Sequence, residues 1–479
     1  MPRVLIAVFD GLQSAQVTPE LMPNLSALAA RGVTFANHHA VFPTVTRING
    51  ASMVTGRYPG SHGIPGNQMV AREFDPYKSF SALEPTLAQV AQKTGRVLLA
   101  PTLADILHRS DQEYIAVGTG TSGNAYMHNP NAERSGGATI HPDFCLPYSL
   151  YDEIIARFGP WPDDTTPNTA RLAHAVRIMT EYVLPERQPA ASLIWFSEPD
   201  HAQHAHGVGS DIAGTAIFEA DREFGRLLEW LDRSGLAADT DVMVISDHGY
   251  STITEVVDVA GQVKEVGFPA GDQRGGVIVA GNGGSVLFYT HESDQSITDR
   301  LAAWLMAQPW CGALAASQAV ADIEGALPAN LVGGNGPRAP ELWMSFKWNS
   351  EPNSFGLAGH AYAAGGTAGL GQHGSMSRHE THNILYARGP SFKWGVSLDS
   401  PSGNVDLAPT VLYLLGITPD EPMDGRALTE ALTGNDAVEW STDVHRTERF
   451  VQGGRYSQQI IVSLAGNTLY VDEGQASLG

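Results

Sequence analysis

The chain is poor in cysteine and in basic residues. It has two cysteines, Cys145 and Cys311, among 479 residues. So few and so distant cysteines exclude a disulfide scaffold and a zinc knuckle, and we expect both to be buried apolar side chains. Lysine and arginine number 29 against 51 aspartates and glutamates, which gives a formal net charge of −22. We therefore expect no nucleic-acid polymer as a partner, since such binding usually requires a basic face. A small anionic substrate is still compatible, because bound metal ions can dominate the local field.

Long apolar runs are also missing. None reaches the ~18 residues that suggest a membrane helix, and we expect no membrane partner. The first predicted strand begins by Val4, which leaves no room for a secretory signal, so the expected location is the cytoplasm. A composition of 43% hydrophobic and 17% charged residues is typical of a globular protein.

Predicted strands alternate with segments of helical periodicity along most of the chain. This pattern indicates an α/β fold with a mostly parallel central sheet between helical layers. We interpret residues 1–435 as one catalytic domain and about 255–370 as a smaller cap-like region inserted in it. Residues 436–479 are expected to form a C-terminal β-hairpin extension packed on the same domain, because alternating runs flank Gly466-Asn467.

Aspartates and histidines follow three predicted strands, at residues 3–9, 192–196 and 241–246. The side chains in question are Asp10, Asp200, His204, Asp247 and His248, and His373 in Gly371-Gln372-His373-Gly374 adds a third histidine. Open α/β sheets bind their ligands at the carboxyl ends of the strands. Three aspartates and three histidines suffice for two divalent metal ions, and mixed Asp and His ligation favours zinc.

A longer motif lies between Phe42 and Ile64. Its second half, Val54-Thr55-Gly56-Arg57-Tyr58-Pro59-Gly60-Ser61-His62-Gly63-Ile64, follows a T-x-x-N sequence formed by Thr46 and Asn49. This segment resembles the signature of the type I phosphodiesterases/nucleotide pyrophosphatases, a family of the alkaline phosphatase superfamily. The resemblance continues, in the family's order, in E-P-D-x-x-x-H (198–204), S-D-H-G (246–249) and G-x-H-G (371–374).

The resemblance implies an alkaline phosphatase-like fold and a metal-dependent hydrolase of phosphoric esters. The leading activity is that of a phosphodiesterase that acts through a covalent phospho-threonine intermediate at a bimetallic site. The resemblance assigns one ion to Asp200, His204 and His373, and the other to Asp10, Asp247, His248 and the Thr46 oxygen. A threonine hydroxyl is a poor nucleophile near neutral pH, and a bound cation would activate it. Asn49, one helical turn after Thr46, is expected to donate its amide to a phosphoryl oxygen.

Arg47 departs from the family pattern, which usually has an aromatic residue after the nucleophile. Its guanidinium either binds an anionic part of the substrate or pairs with a surface carboxylate. The expected substrate is a small phosphodiester or a related anion. Phosphonoacetate hydrolase, which cleaves a C–P bond, and a phosphomonoesterase are alternatives, and a non-enzymatic binding module would require a missing ligand.

The preference for diesters rests on a lack of basic residues. In relatives that cleave monoesters or phosphonoacetate, basic residues follow the strand after the nucleophile helix. We align that position with residues 97–105, which include no lysine or arginine. A site without additional cations should favour the less charged diester.

Other histidines are interpreted as non-catalytic. His38 and His39 are expected to be loop or supporting groups. His379-Glu380-Thr381-His382 has its histidines three residues apart, so it is not the H-E-x-x-H metalloprotease helix.

Overall fold

The structure is a computed structural model that describes residues 2–479, and its largest element is a nine-stranded sheet. The three central strands run parallel in the order Thr240–Ile245, Arg3–Phe9, Ala191–Phe196. The strand Tyr114–Gly118 continues the parallel arrangement on one side, and Leu385–Arg388 pairs antiparallel on the other. The outer strands are Val33–Phe35, Ala138–Ile140, Cys145–Leu146 and Val396–Leu398. The predicted α/β fold with a mostly parallel sheet is confirmed.

Helices cover both faces of this sheet. Alternate side chains of Arg3–Phe9 enter two separate cores, with Leu5 and Phe9 in one and Val4 and Ile6 in the other. A strand buried on both faces therefore reads as a continuous apolar run. The first core is closed by the helices Pro23–Ala29, Leu150–Phe158, Thr169–Ile178 and Asp211–Ser234. The second is closed by Thr46–Thr55, Leu103–Arg109 and Leu407–Leu414.

The region that we interpreted as a cap contributes strands to two further sheets outside the central one. A five-stranded sheet consists of Val277–Asn282, Ser285–Thr290, Leu342–Phe346, Cys311–Ala316 and Leu327–Pro328, with the helix Gln295–Met306 packed on it. A four-stranded sheet consists of Trp348–Pro352, Ala358–Ala363, Ser251–Val256 and Gly371–Gln372. This second sheet borders the strand ends, because Ser251–Val256 follows His248 closely and Gly371–Gln372 precedes His373. The exact domain limits stay a prediction.

The C-terminal segment forms a three-stranded antiparallel sheet of Trp440–Val451, Gly454–Ala465 and Thr468–Leu478. The turn at Gly466-Asn467 joins the last two strands where a hairpin was predicted. The expectation of a hairpin alone is wrong, because another strand precedes it. That strand is exposed almost throughout, so it lacks the alternation of apolar and polar residues that marks a half-buried strand. The sheet packs through Ile460 and Val462 in a core shared with the five-stranded sheet.

Residues 97–105 do not follow a strand, which corrects our alignment. They form a turn into the helix Leu103–Arg109, where the Thr102 Oγ1 accepts the Asp105 N–H and the Asp105 carboxylate accepts the Thr102 N–H. This reciprocal cap begins a helix. The first strand of the central sheet after the helix Thr46–Thr55 is Tyr114–Gly118, and residues 119–128 after it also include no lysine or arginine.

The other α-helices are Pro59–His62, Glu84–Thr94, Ser122–His128, Ala132–Ser135, Asp200–His206, Val259–Glu265 and Arg378–Thr381, and Met179–Arg187 is a π-helix. Within residues 2–479, no helix combines the length and apolarity needed to cross a bilayer. Cys145 and Cys311 are both buried and free, as predicted.

Candidate active site

Three neighbouring strands deliver aspartates to one edge of the central sheet. Asp10, Asp200 and Asp247 lie just beyond Arg3–Phe9, Ala191–Phe196 and Thr240–Ile245. The backbone joins two of them, since the Asp200 N–H donates to the Asp10 carbonyl at 3.0 Å. Gly11 follows Asp10 and lies close to the Tyr250 ring. A Cβ at Gly11 would lie 2.6 Å from this ring, and its φ of +70° also favours glycine.

The first group of side chains contains Asp10, Asp247, His248 and Thr46. The His248 Nε2 lies 3.1 Å from an Asp247 oxygen, 3.6 Å from an Asp10 oxygen and 3.3 Å from the Thr46 Oγ1. The His248 Nδ1 donates to the Gly249 carbonyl at 3.0 Å, which leaves the Nε2 lone pair free for a ligand. The Asp10 Oδ1 and the Asp247 Oδ2 are buried and accept no hydrogen bond from any described residue. Buried carboxylate oxygens without donors fit a bound cation.

The second group contains Asp200, His204 and His373. Both histidine Nε2 atoms lie 3.4 Å from the Asp200 Oδ1 and 3.1 Å from each other. Their Nδ1 atoms donate to the carbonyls of Gly371 and Thr44, at 3.1 and 2.7 Å. Asp200 and His204 share one face of the helix Asp200–His206, while His373 comes from the neighbouring sheet. This arrangement also fits a metal ion with the Nε2 atoms as ligands.

The two groups are adjacent. The rings of His248 and His373 stack with centroids 3.6 Å apart and planes 12° from parallel. The Tyr250 hydroxyl donates to the Asp200 Oδ1 at 2.7 Å and so orients this carboxylate. The structure therefore brings together all seven residues that the sequence offered as metal ligands.

Negative charge is concentrated in the site. Burial raises the pKa of Asp10 well above its ordinary value, and the carboxylates of Asp247 and Asp200 raise it further. Burial also raises the pKa of Asp200, but His204 and His373 outweigh this effect and hold the pKa well below its ordinary value. Such crowding of buried carboxylates is relieved by cations.

Thr46 is the first residue of the helix Thr46–Thr55, and only 5% of it is exposed. Its position combines a hydroxyl near His248 with the backbone N–H groups of a helix N-terminus, which favour anions. A phosphoryl oxygen beside Thr46 would meet these donors.

Asn49 does not have the role that we expected. Its amide nitrogen donates to the carbonyls of Val41 and Val45, each at 3.1 Å, and its Oδ1 accepts from the Val41 N–H at 2.7 Å. The side chain is fully buried and has no amide hydrogen left for a phosphoryl oxygen. Asn49 instead holds the loop that precedes Thr46.

Asn67 brings a second asparagine side chain to the start of the Thr46 helix. Its Oδ1 accepts from the Arg47 N–H at 3.2 Å, at the start of the Thr46 helix. No described residue accepts a hydrogen bond from the Asn67 Nδ2, so this amide has hydrogens to donate. Sequence reasoning missed it because Asn67 is 20 residues beyond Arg47 and no helical spacing relates the two.

Arg47 is buried, with 8% of the residue exposed, and makes no ion pair among the described residues. Its Nη1 donates to the Asn67 carbonyl at 3.2 Å, and its Nε has no partner. Burial lowers the pKa of the guanidinium to about 10, while the Asp10 carboxylate opposes this. The alternative that Arg47 pairs with a surface carboxylate is wrong, because the side chain does not lie on the surface.

Fold and site together define an alkaline phosphatase-like α/β protein with groups that could hold metal ions. The sequence profile described as type I phosphodiesterase/nucleotide pyrophosphatase matches residues 4–364. The chain belongs to this family, as its motifs predicted.

Similar proteins carry names from the same family. Ectonucleotide pyrophosphatase/phosphodiesterase family member 3 of Rattus norvegicus is 27% identical over 253 residues, 52% of this chain and 25% of the relative. The venom phosphodiesterase of Macrovipera lebetinus is 26% identical over 256 residues, 53% of this chain and 26% of the relative. A Caenorhabditis elegans ectonucleotide pyrophosphatase/phosphodiesterase is 26% identical over 422 residues, 87% of this chain and 47% of the relative. These matches span between a quarter and about half of each relative's length.

The fold matches solved structures of murine ectonucleotide pyrophosphatase/phosphodiesterase 5. One is an inactive threonine-to-alanine variant in complex with AMP, with a TM-score of 0.65 and 19% identity over 90% of this chain and all of that one. The same murine protein without the substitution gives a TM-score of 0.63, also at 19% identity, with the same coverage of both chains.

Proposed function

We propose that this protein is a metal-dependent phosphodiesterase that hydrolyses small phosphodiesters through a covalent intermediate on Thr46. The observation that carries the proposal is the contact of the Thr46 Oγ1 with the His248 Nε2 at 3.3 Å, beside carboxylate oxygens that have no hydrogen-bond donor. A hydroxyl placed among cation ligands is suited to nucleophilic attack. A degenerate binding module would have lost part of this set.

Two divalent ions would be held by the two groups of side chains, and zinc is the metal that we propose. Aspartate and histidine together suit zinc. When bound, the ions would favour the alkoxide form of the nucleophile and neutralise charge on the phosphoryl oxygens.

The chain's own residues account for the rest of the chemistry. The Thr46 Oγ forms a bond to phosphorus as the bond to the leaving alcohol breaks, and the hydroxyl proton passes to solvent. The retained ester group then stays on Thr46 until water attacks phosphorus and releases a phosphomonoester. We assign to the Asn67 Nδ2 and the helix N–H groups the role of donors to the charged phosphoryl oxygens, because Asn67 contacts the start of the Thr46 helix.

Arg47 is proposed to bind an anionic part of the substrate. A buried guanidinium without a carboxylate partner is unfavourable unless an anion reaches it. Arginine is well suited to bidentate binding of phosphate or carboxylate groups. The names of the relatives and the AMP bound by the murine protein support a nucleotide-like phosphodiester as one such substrate.

The lack of basic residues in 119–128 favours diesters over the alternatives. A monoester dianion and phosphonoacetate each carry more negative charge than a diester, and a site for them should offer cations beyond the metals. Gly120 of this segment is near Asp10, because a Cβ there would lie 3.7 Å from the Asp10 Oδ2. Arg47 is the one cation that we assign to the substrate pocket.

Parallel rates on three substrates test this proposal. For the zinc-loaded protein we expect kcat/KM for an aryl phosphodiester to exceed that for the matched monoester and for phosphonoacetate at least tenfold, or ~1.4 kcal/mol. Thr46→Ala, purified in the same way, controls for contaminating hydrolases. A faster reaction with the monoester or with phosphonoacetate would replace the proposed activity with one of these alternatives.

A further inference from the structure

A third cluster of possible metal ligands lies outside the two groups of the active site. It consists of His39, His382 and Asp472, whose ligand atoms all lie within 4.8 Å of one another. These residues come from three distant parts of the chain, and Asp472 belongs to the C-terminal strand Thr468–Leu478. Neither the family resemblance nor the proposed function assigns them a role.

The orientation of the His39 ring is that of a metal ligand. Its Nδ1 donates to the Ser402 carbonyl at 2.9 Å, which leaves a lone pair on the Nε2 of the neutral ring. That Nε2 lies 3.0 Å from the Asp472 Oδ1, which is also an acceptor. Two acceptors at this distance require a proton or a cation between them. His204, His248 and His373 show the same arrangement, with the Nδ1 on a carbonyl and the Nε2 directed at an aspartate.

The position of His382 favours a metal ion over a proton. Its Nε2 lies 3.9 Å from the Asp472 Oδ1, too far for a hydrogen bond, and no described residue makes a hydrogen bond with either of its ring nitrogens. Ligand atoms ~2.1 Å from a tetrahedral ion lie about 3.4 Å apart, close to the 3.0 and 3.9 Å seen here. A shared proton would engage His39 alone, whereas an ion would engage all three side chains.

We propose that His39, His382 and Asp472 form a third metal site for a divalent cation of the zinc class. The Ser463 Oγ donates to the Asp472 Oδ2 at 2.9 Å and fixes the carboxylate, as a supporting residue does in metal sites. A cavity of about 510 Å³, lined by His382 and Asp472 among others, adjoins the cluster and gives room for water at a fourth position. His39 and His382 then have a role that their sequence did not indicate.

Such an ion would fasten the C-terminal sheet to the catalytic core. His39 lies in the short strand His38–His39, and His382 directly follows the helix Arg378–Thr381. Because an ion that binds only the folded chain stabilises it, the contact between these elements should strengthen with zinc.

Anomalous diffraction from crystals of the zinc-loaded, otherwise unaltered protein tests the site directly. Data collected on the two sides of the zinc edge should give a peak between the Nε2 atoms of His39 and His382 and the Asp472 carboxylate. Peaks at both active-site groups with none at this cluster would overturn the proposal.

The number of zinc ions per chain provides a second test. After removal of unbound zinc, His382→Ala and Asp472→Asn should each hold one ion fewer than the wild-type protein. His445→Ala, at an exposed histidine of the same sheet, should hold as many as the wild type. An unchanged count in folded His382→Ala would overturn the site. This difference of one ion does not depend on the active-site groups, so it separates the third site from the proposed function.

Discussion

At the scale of single residues, Thr46 carries the chemistry of the account. Thr46→Ala removes the hydroxyl that lies 3.3 Å from the His248 Nε2, so kcat for an aryl phosphodiester should fall about 1000-fold or more. Thr46→Ser keeps the hydroxyl and should retain part of the rate. Steady-state kinetics of both zinc-loaded variants provide the measurement, and a wild-type rate for Thr46→Ala would reject this nucleophile.

Two asparagines near Thr46 should respond differently to substitution. Asn67→Ala removes a proposed oxyanion donor and should raise the barrier by roughly 3 kcal/mol, or ~100-fold in kcat. Asn49→Ala removes hydrogen bonds that are fully buried, so it should lower the free energy of unfolding by about 1–3 kcal/mol while folded protein keeps its kcat. Kinetics and denaturant unfolding of both variants would contradict this assignment if the two effects were exchanged.

Residue-level patterns predicted the clustering of Asp10, Asp200 and Asp247 better than the hydrogen bonds of Asn49. Asp10, Asp200 and Asp247 each follow an apolar run, and such a position is readable in the sequence. The side chain of Asn49 is directed away from Thr46 by the carbonyls of Val41 and Val45, and no sequence rule indicates this. These hydrogen bonds depend on the conformation of the loop before Thr46, which only the folded chain defines.

At the scale of elements, the strands bring carboxylates next to the site histidines and so shift the pKa values of their rings. Burial lowers the pKa of His204 and of His248, but the carboxylates of Asp200 and Asp247 outweigh this and raise both above the ordinary value. Burial and the charge of His248 lower the pKa of His373 to about 4. In the metal-free site His204 and His248 therefore keep a second ring proton to higher pH than an ordinary histidine, whereas His373 loses it at lower pH.

Zinc must displace these protons, because only a neutral imidazole binds a metal. A raised pKa keeps the proton on the ring to higher pH, so zinc affinity should rise with pH through neutrality and fall as the pH drops. Calorimetric titration of the metal-free protein at pH 7, in two buffers with different heats of ionisation, should show proton release. Equal heats in both buffers would mean that His204 and His248 are already neutral.

Elements were predicted well where periodicity was clear and poorly where it was absent. The strand Arg3–Phe9 is buried on both faces and was found within its observed limits. The exposed strand Trp440–Val451 has no apolar side to reveal it. Residues 97–105 were misassigned because a capping sequence that opens a helix follows an apolar stretch.

At the scale of the whole molecule, metal binding should couple distant segments. The ligands of the two active-site groups come from the central sheet, the helix Asp200–His206 and the sheet that carries His373. An ion present at about 100 times its Kd contributes about 2.7 kcal/mol to the free energy of unfolding. Calorimetry with zinc should therefore give a clearly higher Tm than calorimetry after chelation, and the gain should shrink in His373→Ala. Equal Tm values with and without zinc would contradict this coupling.

The overall architecture was predictable because alternating strand and helix patterns leave few topologies open. The limits of the predicted inserted region and the assembly of the third ligand cluster were not. His39, His382 and Asp472 have no common motif, and they meet because the strand Thr468–Leu478 packs against the strand His38–His39 and the helix Arg378–Thr381.

The covalent intermediate on Thr46 is the central claim, and its location can be measured directly. The zinc-loaded protein is mixed with excess diaryl phosphodiester, quenched in acid within one turnover, and mapped by peptide mass spectrometry. The account predicts an aryl phosphoryl group on Thr46 in the wild-type protein and on no residue of Thr46→Ala. An aryl phosphoryl group on Ser14, Ser52 or Thr55 instead would contradict it.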